Sequence, residues 1–232
     1  HITPNHYYQP IPDTSTLRDD LWERESELVG IDLNLDIQLH LLRNVFPQFS
    51  EEYNKFPIEP TGVPYEFCFN NPMFSGADAL VLYCMVRHFK PKRIIEVGSG
   101  YSTFVSAQAA LCNGNTKLIC IEPYPNEVLT QGFPGLTELI PSKVEDVDLD
   151  LFSQLEENDI LFLDTSHVVR CGGDVNWLYL EVIPRLKKGV IVHSHDIFFP
   201  KELPKHWILD RHFFWTEQYL LQKRVIALHL IE

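Results

Sequence analysis

A surplus of basic residues is the first thing this sequence lacks. It carries 19 Lys and Arg against 32 Asp and Glu, a net charge of −13. No basic stripe is present to displace counterions from phosphates, so the chain is not expected to bind nucleic acid. Long apolar runs are also missing, and none approaches the ~20 residues of a membrane-spanning helix. The start has no basic segment followed by an apolar one, so no signal peptide is expected. The first residue is His rather than Met, which points to a processing boundary. The five cysteines, Cys68, Cys84, Cys112, Cys120 and Cys171, form no CxxC pair. An odd count without a framework favours a reducing, cytoplasmic setting. Cys84, Cys112 and Cys120 lie among apolar neighbours and read as small buried hydrophobes. There is no internal repeat and no low-complexity segment. What is present, 232 residues with 45% apolar and 22% charged, suits one large soluble domain or one domain with a cap.

Residues 1–14 hold three prolines and two tyrosines, which predicts an extended arm. Tyr7 and Tyr8 are candidates for a lid over a pocket. Helices are expected over 16–29 and 32–46, the second with apolar stripes on two sides. A connector with Pro57, Pro60 and Pro64 follows. We therefore divide the chain into an arm and helical cap, 1–60, and a main domain, 61–232. From residue 75 helices and strands alternate. Helix is expected at 76–89, 103–111, 126–131, 149–155, 174–186 and 207–221. Strand is expected at 94–97, 117–121, 138–140, 159–163, 190–192 and 225–231. Such alternation predicts an α/β fold: a Rossmann-like, doubly wound, mostly parallel sheet with helices on both faces. Ligands in such sheets bind beyond the strand carboxyl ends, where the strand order switches. Glu122, Asp164, His195 and Asp196 all fall at strand carboxyl ends, and Glu96 lies within the first strand.

The stretch Arg93 to Thr103 reads as strand, Gly-x-Gly turn and helix. Gly98 and Gly100 let a ligand approach the backbone, and the helix start offers a positive dipole end. A dinucleotide fingerprint wants a further glycine where Thr103 stands. Glu122, 22 residues after Gly100, suits the hydroxyls of a ribose, in NAD or in S-adenosylmethionine alike. Glu96 would repel a pyrophosphate but suits the ammonium of a methionine moiety, directly or through water.

In this order the motifs resemble the class I S-adenosylmethionine-dependent methyltransferases. Glu96-Val-Gly-Ser-Gly100 is similar to that family's first motif, Ile121-Glu-Pro123 to its ribose-binding strand end, and Asp159 to His167 to its fourth strand. The likeness spans roughly residues 75–200. It implies a seven-stranded sheet, although the tail offers one convincing strand where the family usually has a pair. It also implies S-adenosyl-L-methionine contacts from Glu96, Gly98, Ser99, Gly100, Ser102, Glu122 and Asp164. Asp146 or Glu145 would meet the adenine amine.

A closer resemblance is to the metal-dependent O-methyltransferases of the catechol type and their bacterial relatives acting on natural products. Ser75-Gly-Ala-Asp78 stands where that group has a Gly-Asp-Ala-like turn. The resemblance implies that Asp164, His195 and Asp196 are metal ligands. It implies that His167 is the general base, a place usually held by Lys. His195 replaces an acid, which favours Mn²⁺, Fe²⁺ or Zn²⁺ over Mg²⁺. Without a metal, His195 backed by Asp196 becomes the catalytic base. The Tyr7-Tyr-x-Pro-Ile-Pro12 and His195-Asp-Ile-Phe-Phe-Pro200 segments are similar to those of a group of bacterial methyltransferases.

Other residues have plainer readings. His193 is expected to be a core histidine and Asp174 a helix N-cap. Phe198, Phe199, Phe213, Phe214 and Trp215 line an acceptor pocket or pack as core. The expected partner is a small-molecule acceptor with a hydroxyl group; homo-oligomerisation stays open. The alternatives are an NAD(P)-dependent oxidoreductase of Rossmann type and a non-catalytic nucleotide-binding module.

Overall fold

The computed structural model describes residues 9–74 and 76–229, the last six by their backbone alone. Tyr7, Tyr8 and Ser75 lie outside the described residues. Five short apolar segments form one parallel sheet: β1 Arg93–Val97, β2 Lys117–Ile121, β3 Glu138–Ile140, β4 Ile160–Leu163 and β5 Ile191–Ser194. Their order is β3-β2-β1-β4-β5, with every pairing parallel. The order reverses beside β1, so the loops leaving β1 and β4 lead to helices on opposite faces of the sheet, which is where such sheets open a crevice.

Strand side chains alternate between two cores. On one face Ile94, Leu118, Cys120, Ile160 and Phe162 pack with α3 (Ala77–Phe89) and α4 (Tyr101–Asn113). On the other, Ile95, Val97, Ile121, Leu161 and Leu163 pack with Phe152, Val175, Tyr179 and Val182. Burial of this apolar area on both faces is the main stabilising contribution. The nearly continuous apolar runs of β1, β2 and β4 follow from it, since neither face meets water.

Several expectations need correction. The segment 16–29 is not a helix; it holds only short turns at Thr14–Thr16 and Asp19–Leu21. Three glutamates, two aspartates, two arginines and no apolar period give it no face to bury. The next helix starts later, at α1 (Leu35–His40), and runs on through wider and tighter turns to α2 (Ser50–Tyr53). Its outward side leaves Leu35, Ile37 and Leu42 exposed. Its inward anchor is Glu52, which takes hydrogen bonds from Arg87 at 2.7 and 2.9 Å and from Tyr83 at 2.7 Å.

The tail also differs. Residues 210–216 are irregular, between α8 (Lys205–Leu209) and α9 (Glu217–His229). Positions 225–229, expected as strand, continue α9, and 230–232 lie outside the described residues. Among the described residues the sheet therefore has five strands, not seven. A short apolar run can be strand or buried helix, and periodicity alone does not separate them.

Candidate functional site

Two adjoining cavities open beyond the carboxyl ends of β1, β2 and β4. One, of about 580 Å³, is lined by Phe74, the Gly98–Ser102 turn, Glu122, Asp164, His167, His195, Asp196 and Trp215. The other, of about 460 Å³, is lined by Val97, Ile121, Pro123, Tyr124, Val144, Glu145, Arg170 and Asp174. They share Gly98, Glu122, Asp164, Thr165 and Ser166, so they form one cleft.

The glycine turn forms because Gly98, at φ +78°, brings the chain against β4. A Cβ there would lie 1.8 Å from the Asp164 carbonyl oxygen. Its N–H groups are already paired. Gly98 donates to the Ile121 carbonyl at 3.0 Å, Ser99 to Glu122 Oε2 at 3.1 Å, and Gly100 to Thr103 Oγ1 at 2.9 Å. Thr103 thus closes the start of α4 where a dinucleotide site would need glycine. Glu122 accepts a second N–H, from Tyr124 at 2.8 Å, and still faces both cavities.

Glu96 does not reach the cavity wall. It is fully buried behind the turn, where Oε1 accepts from the Ser102 hydroxyl at 2.8 Å and the Thr103 hydroxyl at 2.6 Å. Its Oε2 has no partner among the described residues. Burial pushes its pKa up to about 7, against the hydrogen bonds from Thr103 and Ser102. A raised acid pKa means that the stability this group lends at low pH is lost as pH rises through about 7. Glu96→Gln is therefore expected to gain on wild type by on the order of 2–3 kcal/mol between pH 4.5 and 8. Urea unfolding at both pH values checks it, and a gap independent of pH would refute the buried charge.

Asp146 also stands away from the cleft. It is exposed and lines neither cavity, whereas Glu145 beside it lines the second. A single turn at Val144–Asp146 aims neighbouring side chains apart, so only one of the two acids faces inward. Asp174 is not a cap for its own helix. It accepts from the Ser166 N–H and hydroxyl, both at 2.6 Å, and fixes the loop after β4. Of the five aromatics singled out above, Trp215 lines the cleft and the other four do not. Trp215 stacks with Phe213 and meets Trp207 edge-on.

Asp164, His195 and Asp196 come together. Each offers a ligand atom within 4.8 Å of the others. His195 Nδ1 lies 3.5 Å from Asp164 Oδ1 and 3.6 Å from Asp196 Oδ2, and it is buried without a hydrogen-bond partner among the described residues. Its Nε2 faces Asp78 at 3.9 Å. His167 Nε2 approaches the same two acids, at 3.3 and 3.6 Å. His167 and Asp196 both hold positive φ, +58° and +54°, a strained state for side chains with Cβ. His193 packs edge-on to Phe162, and burial followed by the nearby His195 pulls its pKa down to about 4.

The acids and histidines hold one another charged. Burial opposes the charge on Asp164, but the close approach of His167 and His195 brings its pKa down to about 2. Burial likewise opposes protonation of His167, yet Asp164 and then Glu217 lift it to about 9. His195 is lifted against burial to about 10, by Asp164 and then Asp78. Burial raises Asp196 above the usual carboxylate range.

Glu217 escaped the reading of the sequence. It is buried in the first turn of α9 and accepts from His167 Nδ1, the Thr165 hydroxyl and the Tyr179 hydroxyl. Its only signal is an acid amid aromatics, Phe213-Phe-Trp-Thr-Glu217, which an exposed acid at a helix start would mimic.

A strand-end acid, a glycine turn at the switch point and an adjoining acid–histidine cluster thus share the sheet edge at which α/β folds of this kind bind ligands. Residues 95–197, from β1 to just past Asp196, match the family described as "Methyltransferase domain". A protein of Archaeoglobus fulgidus, described as "Uncharacterized protein", is 34% identical over 167 residues, 68% of this chain and 75% of its own length. Over residues 95–197, less than half of its length, the chain is thus similar to this methyltransferase-domain family, which supports a methyltransferase domain there. Among the described residues no helix is long and apolar enough to cross a membrane.

Proposed function

We propose that the protein is an S-adenosylmethionine-dependent methyltransferase that methylates a hydroxyl group of a small molecule, assisted by a divalent metal ion. One observation carries this reading. Glu122 at the end of β2 and Asp164 at the end of β4 line the same cleft, on either side of the Gly98 turn that ends β1. In this reading the cavity beside Tyr124, Val144 and Glu145 takes the adenosine, and Glu122 accepts from the ribose hydroxyls. The sulfonium supplies an already activated methyl group, facing the cavity that holds His167, His195 and Trp215.

Two carboxylates and a buried imidazole nitrogen with no protein partner fit a cation. Asp164, His195 and Asp196 would hold it, and a divalent ion there supplies charge stabilisation to an acceptor oxygen. The imidazole favours Mn²⁺, Fe²⁺ or Zn²⁺ over Mg²⁺. His167 Nε2 stands beside the same carboxylates and, in its neutral form, takes the hydroxyl proton; charge compensation of Asp164 and Asp196 would favour that form by offsetting the acids that raise its pKa. The cleft walls align acceptor and methyl group, an effect worth up to ~7–11 kcal/mol in well-oriented reactions. Residues 1–60 serve as arm and cap to a catalytic domain of residues 61–232; Pro64, Met73 and Phe74 of the latter border the acceptor side. The nicotinamide reading is not favoured, because Thr103 occupies the third glycine position and is bonded to Glu96 and Gly100.

Isothermal titration with S-adenosylmethionine is expected to give saturable binding below about 1 mM. Glu122→Ala should weaken it roughly 10- to 100-fold, as loss of a charged hydrogen-bond acceptor does. No binding at millimolar ligand would sink the methyl-transfer reading. Absence of Mn²⁺ or Zn²⁺ binding by the chelator-treated protein would remove the metal from it.

A further inference from the structure

We infer that Glu217 is a positioning residue that aims His167 into the cleft, so that the start of α9 belongs to the site although it lies outside the matched segment 95–197. Its consequence for proton removal rests on the methyl-transfer reading; the geometry does not. Glu217 is 2% exposed, in a region of aromatic and apolar side chains. A carboxylate so placed needs hydrogen-bond donors, and it has three. Oε2 accepts from His167 Nδ1 at 2.9 Å and from the Thr165 hydroxyl at 2.5 Å. Oε1 accepts from the Tyr179 hydroxyl at 2.8 Å. Tyr179 in turn meets the Ser194 hydroxyl, at the end of β5, at 3.0 Å.

The acceptor-only chemistry of a carboxylate settles the imidazole's arrangement. Nδ1 must carry a proton to reach Glu217, which leaves Nε2 turned towards Asp164 and Asp196. A free histidine side chain would rotate or flip; this one is held on three sides. Trp215 covers its ring at a centroid distance of 4.2 Å. The His167 carbonyl accepts from the N–H of Thr216 at 2.8 Å and of Glu217 at 3.1 Å. The Thr216 hydroxyl accepts from the Val169 N–H at 2.7 Å, and the Thr165 hydroxyl accepts from the His167 N–H at 2.9 Å. These bonds tie the loop after β4 to the first turn of α9 and hold His167 in its left-handed backbone conformation. Glu217 itself lines neither cavity, so it acts through His167 and not on a ligand.

The test is a ¹⁵N-histidine spectrum of the full chain, with His167 assigned by its loss in His167→Gln. Wild type is expected to show a downfield His167 Nδ1 proton protected from solvent exchange. Glu217→Ala should lose that resonance. Glu217→Gln, whose amide oxygen still accepts, should restore it. A merely structural Glu217 would lower thermal stability in both variants without this split. Affinity for S-adenosylmethionine, titrated in parallel, should stay within about twofold of wild type in both Glu217 variants, because Glu217 is outside the cavity walls. A wild-type His167 whose Nδ1 is unprotonated or exchanges freely would overturn the inference. So would a Glu217→Ala protein that keeps the protected proton. Should Glu217→Ala fail to fold, the wild-type spectrum alone decides. Failure of the methyl-transfer reading would show separately, as absent ligand binding with the His167 spectrum unchanged.

Discussion

Gly98→Ala is expected to cost more than about 3 kcal/mol of stability and to abolish S-adenosylmethionine binding by whatever fraction still folds. Two independent penalties combine. The backbone at Gly98 has φ +78°, which costs a residue with a Cβ roughly 1–2 kcal/mol. The added Cβ would also sit 1.8 Å from the Asp164 carbonyl oxygen, a backbone atom with no freedom to withdraw. Asp164 is fixed there because its own N–H donates to the Val97 carbonyl at 2.8 Å. Relief therefore requires β1 and β4 to part at the centre of the sheet, and overpacking of that kind costs a further 1–3 kcal/mol or more. Thermal or urea unfolding measures the first part and calorimetry the second. A variant with wild-type stability would show that the turn does not press on β4. Gly100→Ala offers the contrast: nothing lies within 4 Å of a Cβ there, and its φ of −176° is ordinary extended backbone.

Asp164→Asn should produce the second large effect, and its size should depend on pH. Asp164, with a pKa brought down to about 2, lends stability above its unfolded value near pH 4 and loses it as pH falls through about 2. His167 and His195, raised to about 9 and 10, lend stability that is complete below about pH 6.5. That part is lost as pH rises through 9 to 10. In metal-free protein the window of mutual support therefore runs from about pH 4 to 6.5. These are one set of interactions seen from both partners, so they are not added. Allowing for solvent screening at the partly exposed Asp164, the advantage of wild type over Asp164→Asn should be about 2–3 kcal/mol at pH 6. It should shrink to near nothing by pH 10. Chemical denaturation in EDTA at pH 6 and 10 checks this, and a difference that does not vary with pH would mean that the ion pairs do not form. In the proposed function the same variant also lowers Mn²⁺ or Zn²⁺ affinity at least about 100-fold, since a ligand counts for more than the outer groups that support it.

Much of the scaffold is written locally. Short apolar runs ended by polar residues, alternating with helical periods, mark β1 to β5, α3, α4 and the short helix Glu127–Gln131 at nearly their observed bounds. Parallel pairing follows from the alternation itself. Segments without such a pattern were not legible. Residues 16–29 satisfy no period, and 225–229 satisfy two, so their states rest on what they pack against.

The site divides in the same way. Position in the sequence alone sets Gly98, Glu122, Asp164, His195 and Asp196 at strand ends, because residues ending parallel strands share one edge of the sheet whatever else happens. The sequence therefore determined which edge carries the cleft, and that acids and histidines line it. It did not determine which way a side chain points from a turn, which is why Glu145 rather than Asp146 faces inward. Nor did it say whether an acid in a strand reaches the ligand side. Alternation turns Glu96 towards α4, where the hydroxyls of Ser102 and Thr103 engage it. Only the tertiary structure brings Glu217 across fifty residues to His167. A buried carboxylate and an exposed one have the same letter in the chain, and their difference is created by the neighbours that exclude water and supply the donors.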